Sequence, residues 1–386
     1  MANNNLHNRN RRTRRARLSV GGVILRVLAC ILALVLTLVI TLYFALGMLC
    51  SGKIEKNGEI SEILYITVPT FLETGAFKFI PSLYLSSDEI QTIVDSNKMA
   101  DMDADVDEGL ISIGGGGKKG TLDIDTSSDS KAENGVSDSD EPIEVHEISG
   151  STYFGTMLVI KDPSRVSLAT IYPWRAEGVT LDELVTSNGA VAGINGGLYN
   201  SNGNTGGRPC GVIVSNGEIQ MNEPNSYAGL VLVGFTEKNI LLIIDIEGMS
   251  AAEVEALVRE KKIRDAVTFQ DEASDANNHF VQLIINDETR EMNGMGSGLN
   301  PRTAIGQRAD GAVLMFVTDG RGKSGHLGAS ASDLIDVMRE FGAVNAANLD
   351  GGSSSCMYYD GEYLMTSVTF YYSNSSWKLP AGFVVK

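Results

Sequence analysis

The chain has 386 residues, a formal charge of −17 and 42 glycines. That length suits one large domain with accessories, and glycine at this density points to many turns and close backbone approaches. Residues 1–50 hold seven arginines and no acid, which leaves −24 on the remainder; a part that acidic repels phosphate backbones, so nucleic acid is excluded as a partner.

In chain order, residues 1–26 form a basic cytoplasmic tail. Residues 27–50 follow without a charged side chain. As a helix rising 1.5 Å per residue they span a hydrocarbon core of roughly 30 Å. The arginines before them place the N-terminus in the cytoplasm and the rest of the chain outside. A cleaved signal peptide is the competing reading, but its apolar stretch is normally about 7–15 residues, and no small-x-small site follows. The segment is therefore read as a single-pass signal anchor whose partner is the lipid bilayer of the cell membrane.

Residues 51–95 read as a membrane-proximal stalk with one short helix, capped by Ser87 and carrying Asp88 and Glu89 in its first turn. Residues 96–142 have the composition of a flexible, disordered acidic linker, poor in large apolar side chains and rich in Asp, Ser and Gly. Asp101 to Asp107 alternate like a calcium loop, yet Val106 and Ser112 stand where such a loop needs Gly and Glu.

Residues 143–386 form the globular part. Short β-branched runs alternate with helices near 180–188, 251–262 and 331–341. Thr180 and Glu183 read as a capping box, Ser250 and Ser330 as caps, and Gly342 as a stop. The pattern predicts a single α+β or mixed α/β domain. The strand–helix–strand unit around 331–341 predicts a right-handed parallel crossover, which brings Asp319-Gly320-Arg321 and Asp350-Gly351-Gly352 to one sheet edge.

Spacing excludes several common chemistries. Val317 stands where a Walker A loop ending at Gly322-Lys323-Ser324 needs glycine. No G-x-S-x-G elbow exists, and His146, His279 and His326 lie too far apart in sequence to suggest a zinc triad. Four polar glycine-rich loops remain. The first is Asn195-Gly196-Gly197, running on to Arg208 and Cys210-Gly211; the second is Asn300-Pro301-Arg302. The third is Asp319-Gly320-Arg321, and the fourth Asp350-Gly351-Gly352-Ser353-Ser354. In this order, over about residues 150–386, they resemble the phosphodiester glycosidase domain.

That resemblance implies hydrolysis of a sugar-1-phosphodiester in a phosphate-linked envelope glycan or exopolysaccharide. For this task Arg302 and Arg321, with Arg208 as a third, offer guanidinium forks for phosphate. Gly196, Gly197, Gly351 and Gly352 offer backbone donors, and Asn195, Ser353 and Ser354 offer side-chain hydrogen bonds. Asp319 and Asp350 are the natural carboxylate pair, with acid and nucleophile unassigned; His326 is a candidate proton donor. Cys210 and Cys356 either form a disulfide tying the first loop to the fourth or stay as two thiols. Such hydrolysis requires no cofactor, and a divalent metal stays open. The rival is a non-catalytic glycan-binding or assembly module, followed by metal-assisted phosphodiester cleavage.

Overall fold

A computed structural model describes residues 20–50, 62–75, 77–102, 104–113, 141–201, 203–366 and 374–386. Most of the basic tail and of the expected linker lie outside these described residues. The first helix, Val20–Cys50, contains the expected apolar segment and starts earlier, taking in Arg26. Within it Val23–Met48 is long and apolar enough to cross a membrane, with a mean hydropathy of 3.0. Its leucines, Leu25 and Leu34 among them, stand exposed, as on a helix whose apolar surroundings are not protein. This helix belongs to one compact unit, and residues 52–386 to another.

The second unit mixes helices with three larger antiparallel sheets. One has seven strands in the order Ile143–Ser149, Phe154–Ile160, Val313–Thr318, Thr303–Arg308, Ala343–Asn348, Gln282–Ile285 and Glu288–Thr289. Val313, Met315 and Val317 face a core shared with the other sheets, while Leu314 and Phe316 face the helix Ala331–Glu340. Both faces are buried, so the strand reads as a continuous apolar run. The helix presents Leu334, Ile335 and Met338 to the sheet. Ser330 and Asp333 close a capping box at its start, and Gly342 ends it at φ +80°. The other sheets meet the first through that shared core, where Phe235 and Phe383 pack edge to face at 6.0 Å. Burying each such ring stabilises the fold by roughly 1.5–3 kcal/mol.

The predicted crossover holds in direction and not in adjacency. The Val313–Thr318 and Ala343–Asn348 strands are parallel to each other, but Thr303–Arg308 runs antiparallel between them. Its start therefore lies at the same edge as its neighbours' ends: Thr303 pairs with Val317 and Ala304 with Asn348. Three of the four loops meet there because of this inserted strand.

The segment expected as stalk and early linker packs against the domain. The helices Glu62–Leu72 and Ser87–Ser96 bury Leu64, Val68, Leu72, Ile90, Ile93 and Val94. The second is capped by Ser86 rather than Ser87, with Glu89 completing the box. Asn97 donates to the Ser297 carbonyl and accepts from the Met295 and Gly296 N–H groups. Ala100 N–H bonds to the Glu291 carbonyl, Ser112 N–H to the Ala309 carbonyl, and Ile111 is buried. Thus 96–113 is no free linker. Met99, Met102, Val106 and Ile111 each reach a core, while Leu110 and Ile113 stay exposed, a pattern that average composition conceals. At the Leu181–Ser187 helix, Thr180 makes no cap bond to the backbone, so the expected box with Glu183 is not formed.

Candidate active site

The edge defined by the inserted strand gathers Arg302, Asp319, Arg321 and Asp350. Thr318 N–H bonds to the Arg302 carbonyl and Leu349 N–H to the Thr303 carbonyl, so the ladder fixes where each loop leaves the sheet.

Asp350 lies at the centre. Burial pushes its carboxyl up to about 7, against the opposing pull of Ser354, the Gly351 N–H and Arg321. Its backbone is anchored independently of the carboxyl, since Asn195 Nδ2 donates to the Asp350 carbonyl at 2.6 Å. Ser354 Oγ also meets Tyr199 Oη at 2.9 Å, and burial beside Asp350 raises that phenol.

Arg321, held at φ +54°, turns back over the fourth loop. Nη1 donates to Ser353 Oγ at 2.9 Å and Nε to Asn300 Oδ1 at 3.3 Å. Burial and the neighbouring Arg302 lower its pKa to about 10, with Asp350 and Glu73 pulling the other way. Gly352 lies directly beneath: a Cβ there would stand 2.5 Å from Arg321 Nη2, and its φ of +62° also disfavours a side chain.

Asp319 and His326 form a couple. Asp319 Oδ1 accepts from the Phe154 N–H at 2.8 Å, and Oδ2 meets His326 Nδ1 at 2.7 Å. The carboxylate is buried and the imidazole about one-third exposed. Such a pairing fixes the ring and leaves Nε2 for proton exchange.

The other sequence candidates have different roles in the structure. Asn195 is buried, and its Oδ1 accepts from Thr303 Oγ1 and the Cys356 N–H, so it braces the site from below. Gly197 is a packing glycine, because a Cβ would stand 2.2 Å from the Thr268 carbonyl. The Gly352 N–H is engaged by the Pro301 carbonyl. Arg208 pairs with Glu223 at 2.6 Å on the surface. Cys210 and Cys356 are free thiols. Cys356 is buried below the site, whereas Cys210 Sγ lies 3.8 Å from Tyr227 Oη.

Arg302 is buried and committed to protein partners. Nη2 bonds to Glu73 Oε2 at 2.5 Å, Gly298 O at 2.7 Å and Ser297 Oγ at 3.1 Å, while Nε bonds to Ala329 O. Its guanidinium also stacks over Phe280, 4.9 Å from the ring centroid. Sequence reasoning does not single out Glu73 or Thr74, and it names Asn300 only as a member of the second loop, without a role. Glu73 follows an apolar helix as a lone acid, and only tertiary packing reveals its partner.

Among the described residues no three His, Cys, Asp or Glu side chains converge as metal ligands. A cavity of about 150 Å³ lies between Lys98, Asp101, Asp271, His279 and Arg290, and another of about 330 Å³ runs along residues 95–101. Neither is lined by Asp319, Arg321 or Asp350.

A family profile described as phosphodiester glycosidase matches residues 188–386. A curated relative, the SPbeta prophage-derived uncharacterized protein YomE of Bacillus subtilis, is 40% identical over 65 residues, which are 17% of this chain and 10% of that protein. The match thus spans about a tenth of that relative's length. Among solved structures, the zebrafish N-acetylglucosamine-1-phosphodiester alpha-N-acetylglucosaminidase catalytic domain, described as auto-inhibited by its pro-peptide, is 16% identical with a TM-score of 0.48. It covers 63% of this chain and 81% of its own. A hypothetical protein from Synechocystis is 15% identical with a TM-score of 0.42, covering 63% of this chain and 62% of its own. A putative exported protein from Burkholderia pseudomallei is 16% identical with a TM-score of 0.38, covering 60% and 74%.

Proposed function

The chain belongs to the phosphodiester glycosidase family, and from that premise we propose that it is an extracytoplasmic hydrolase of sugar-1-phosphodiesters in envelope or exopolysaccharide glycans. The observation that carries the proposal is Asp350, a buried carboxyl raised to about 7 and close to the Arg321 guanidinium. A carboxylic acid that is still partly protonated near neutrality suits a general acid.

In this scheme Arg321 receives the phosphodiester anion, with Ser353 steadying the guanidinium. As the bond from the anomeric carbon to the phosphate oxygen breaks, its electron pair leaves with that oxygen, which takes the Asp350 proton. Water adds to the anomeric carbon and gives its proton to His326 Nε2, while Asp319 holds the imidazole through Nδ1. The products are free sugar and a phosphomonoester. The apolar Val23–Met48 stretch and the arginine-rich tail before it support a membrane anchor with the domain outside.

The test is the full chain in detergent, incubated with a panel of sugar-1-phosphodiesters. Release of free sugar together with an intact phosphomonoester is the expected result. Binding without release across the panel would favour the glycan-binding module. Chelator-sensitive release of a sugar phosphate would point to metal-assisted cleavage instead.

A further inference from the structure

The site has three arginines by sequence but far less free charge. Arg208 is neutralised by Glu223 at the surface, and Arg302 by Glu73 in the interior. His279 is pushed down to about 3 by burial, Lys78 and Arg302, so it adds no charge at neutral pH. Arg321 alone, among the described residues, contacts the Asp350 loop without a carboxylate ion pair.

Glu73 is fixed for this task. Its Oε1 accepts from Asn278 Nδ2 at 2.7 Å and the Gly298 N–H at 2.8 Å; its Oε2 accepts from Asn300 Nδ2 at 2.9 Å and from Arg302. Four converging donors suit a carboxylate anion. The same contacts orient the Asn300 amide, which turns its Oδ1 to Arg321 Nε. Thr74, the next residue, places Oγ1 3.4 Å from Arg321 Nη2. Glu73 and Thr74 are delivered by a segment outside the residues that match the family profile.

We infer that Glu73 is a specificity-determining positioning residue. By pairing with Arg302 it leaves Arg321, among the described residues, as the cation without a carboxylate ion pair at the anion site, and the Asp350 carboxyl beside it opposes a second negative charge, so the site selects a monoanionic phosphodiester over a dianionic phosphomonoester. This rests on the reading that Arg321 receives the substrate phosphate. The consequence suits turnover, because hydrolysis converts a diester into a monoester with a second ionisation near 6. The product therefore acquires a charge that the site does not match, which favours its release.

The experiment uses the full chain in detergent at about pH 8, where methyl phosphate is dianionic and dimethyl phosphate monoanionic. Binding of each probe is followed by thermal shift and calorimetry. Neither probe has a glycosidic bond, so the outcome stands apart from whether sugar is released, and the two readings fail separately. Wild type is expected to bind methyl phosphate no more tightly than dimethyl phosphate. Glu73→Gln should move the ratio about tenfold toward methyl phosphate, as expected for one uncompensated charge at partly buried range. The double variant Glu73→Gln/Arg302→Met should restore the wild-type ratio, a recovery that loss of structure does not produce. A tenfold wild-type preference for methyl phosphate, an unmoved ratio in Glu73→Gln, or no binding of either probe by wild type would each overturn the inference. The wild-type arm decides even where a variant does not fold.

Discussion

Replacing Asp350 with Asn is expected to abolish sugar release and yet make the protein harder to unfold at alkaline pH. The folded-state carboxyl is raised from its ordinary value of 3.8 to about 7. One unit of pKa corresponds to about 1.4 kcal/mol, so ionising this buried group costs the folded state up to about 4 kcal/mol. The sign follows from the protons bound. Below about pH 4 both states carry the proton, and the group is neutral towards stability. As pH rises towards 7 the unfolded chain ionises freely while the folded one resists, so stability is lost across that window and the full cost applies above it. The amide of the variant never ionises, so the substitution should stabilise by about 2–4 kcal/mol near pH 8 and by less than about 1 kcal/mol near pH 4. Urea unfolding of wild type and variant at both pH values measures this directly. A variant that is less stable than wild type at pH 8, or whose advantage is equal at both pH values, would refute the burial argument. Stability given up at a catalytic group is a recurrent pattern in enzymes.

Gly352→Ala adds a Cβ 2.5 Å from Arg321 Nη2 at a φ of +62°. It should destabilise by about 1–3 kcal/mol and raise KM more than it lowers kcat, as steady-state kinetics will read. His326→Gln and Asp319→Asn should each lower kcat by about 10²–10⁴, with the double variant little worse than either single one because the pair acts as a unit; additive losses would separate them. Reducing agent should leave the melting temperature unchanged, since Cys210 and Cys356 are free. With iodoacetamide, Cys210 should be modified in the native state and Cys356 only after unfolding, read by mass spectrometry. Leu334→Ala in the helix over the seven-stranded sheet removes a fully buried side chain and should cost about 2–5 kcal/mol in urea unfolding.

What can be read from the sequence is governed by range. The helix at 331–340 and its capping residues are local, and they appear where spacing places them. The common edge for Asp319 and Asp350 also follows from a local rule about strand–helix–strand units. That Thr303–Arg308 inserts between those strands does not, because antiparallel insertion is decided by pairing over long range. The first loop promises more in sequence than it delivers: Asn195 and Gly197 resemble ligand contacts, but burial turns one into a brace and the other into a packing position. The reverse holds for the early segment, which reads as stalk and linker: Leu64, Val68, Ile90, Met99 and Ile111 are buried only because the domain supplies a core, and Glu73 acquires meaning only through Arg302.

The ion pair between Glu73 and Arg302 joins residues 229 positions apart. At synthesis rates of about 5–20 residues per second, the carboxylate leaves the ribosome roughly 10–50 seconds before the guanidinium it will meet. During that interval the apolar helix before it has no arginine to close against. Completion of the candidate site therefore waits on residues made late, Arg302 first and then Asp319, Arg321 and Asp350, so the nascent chain carries no assembled site while most of the domain is still being made.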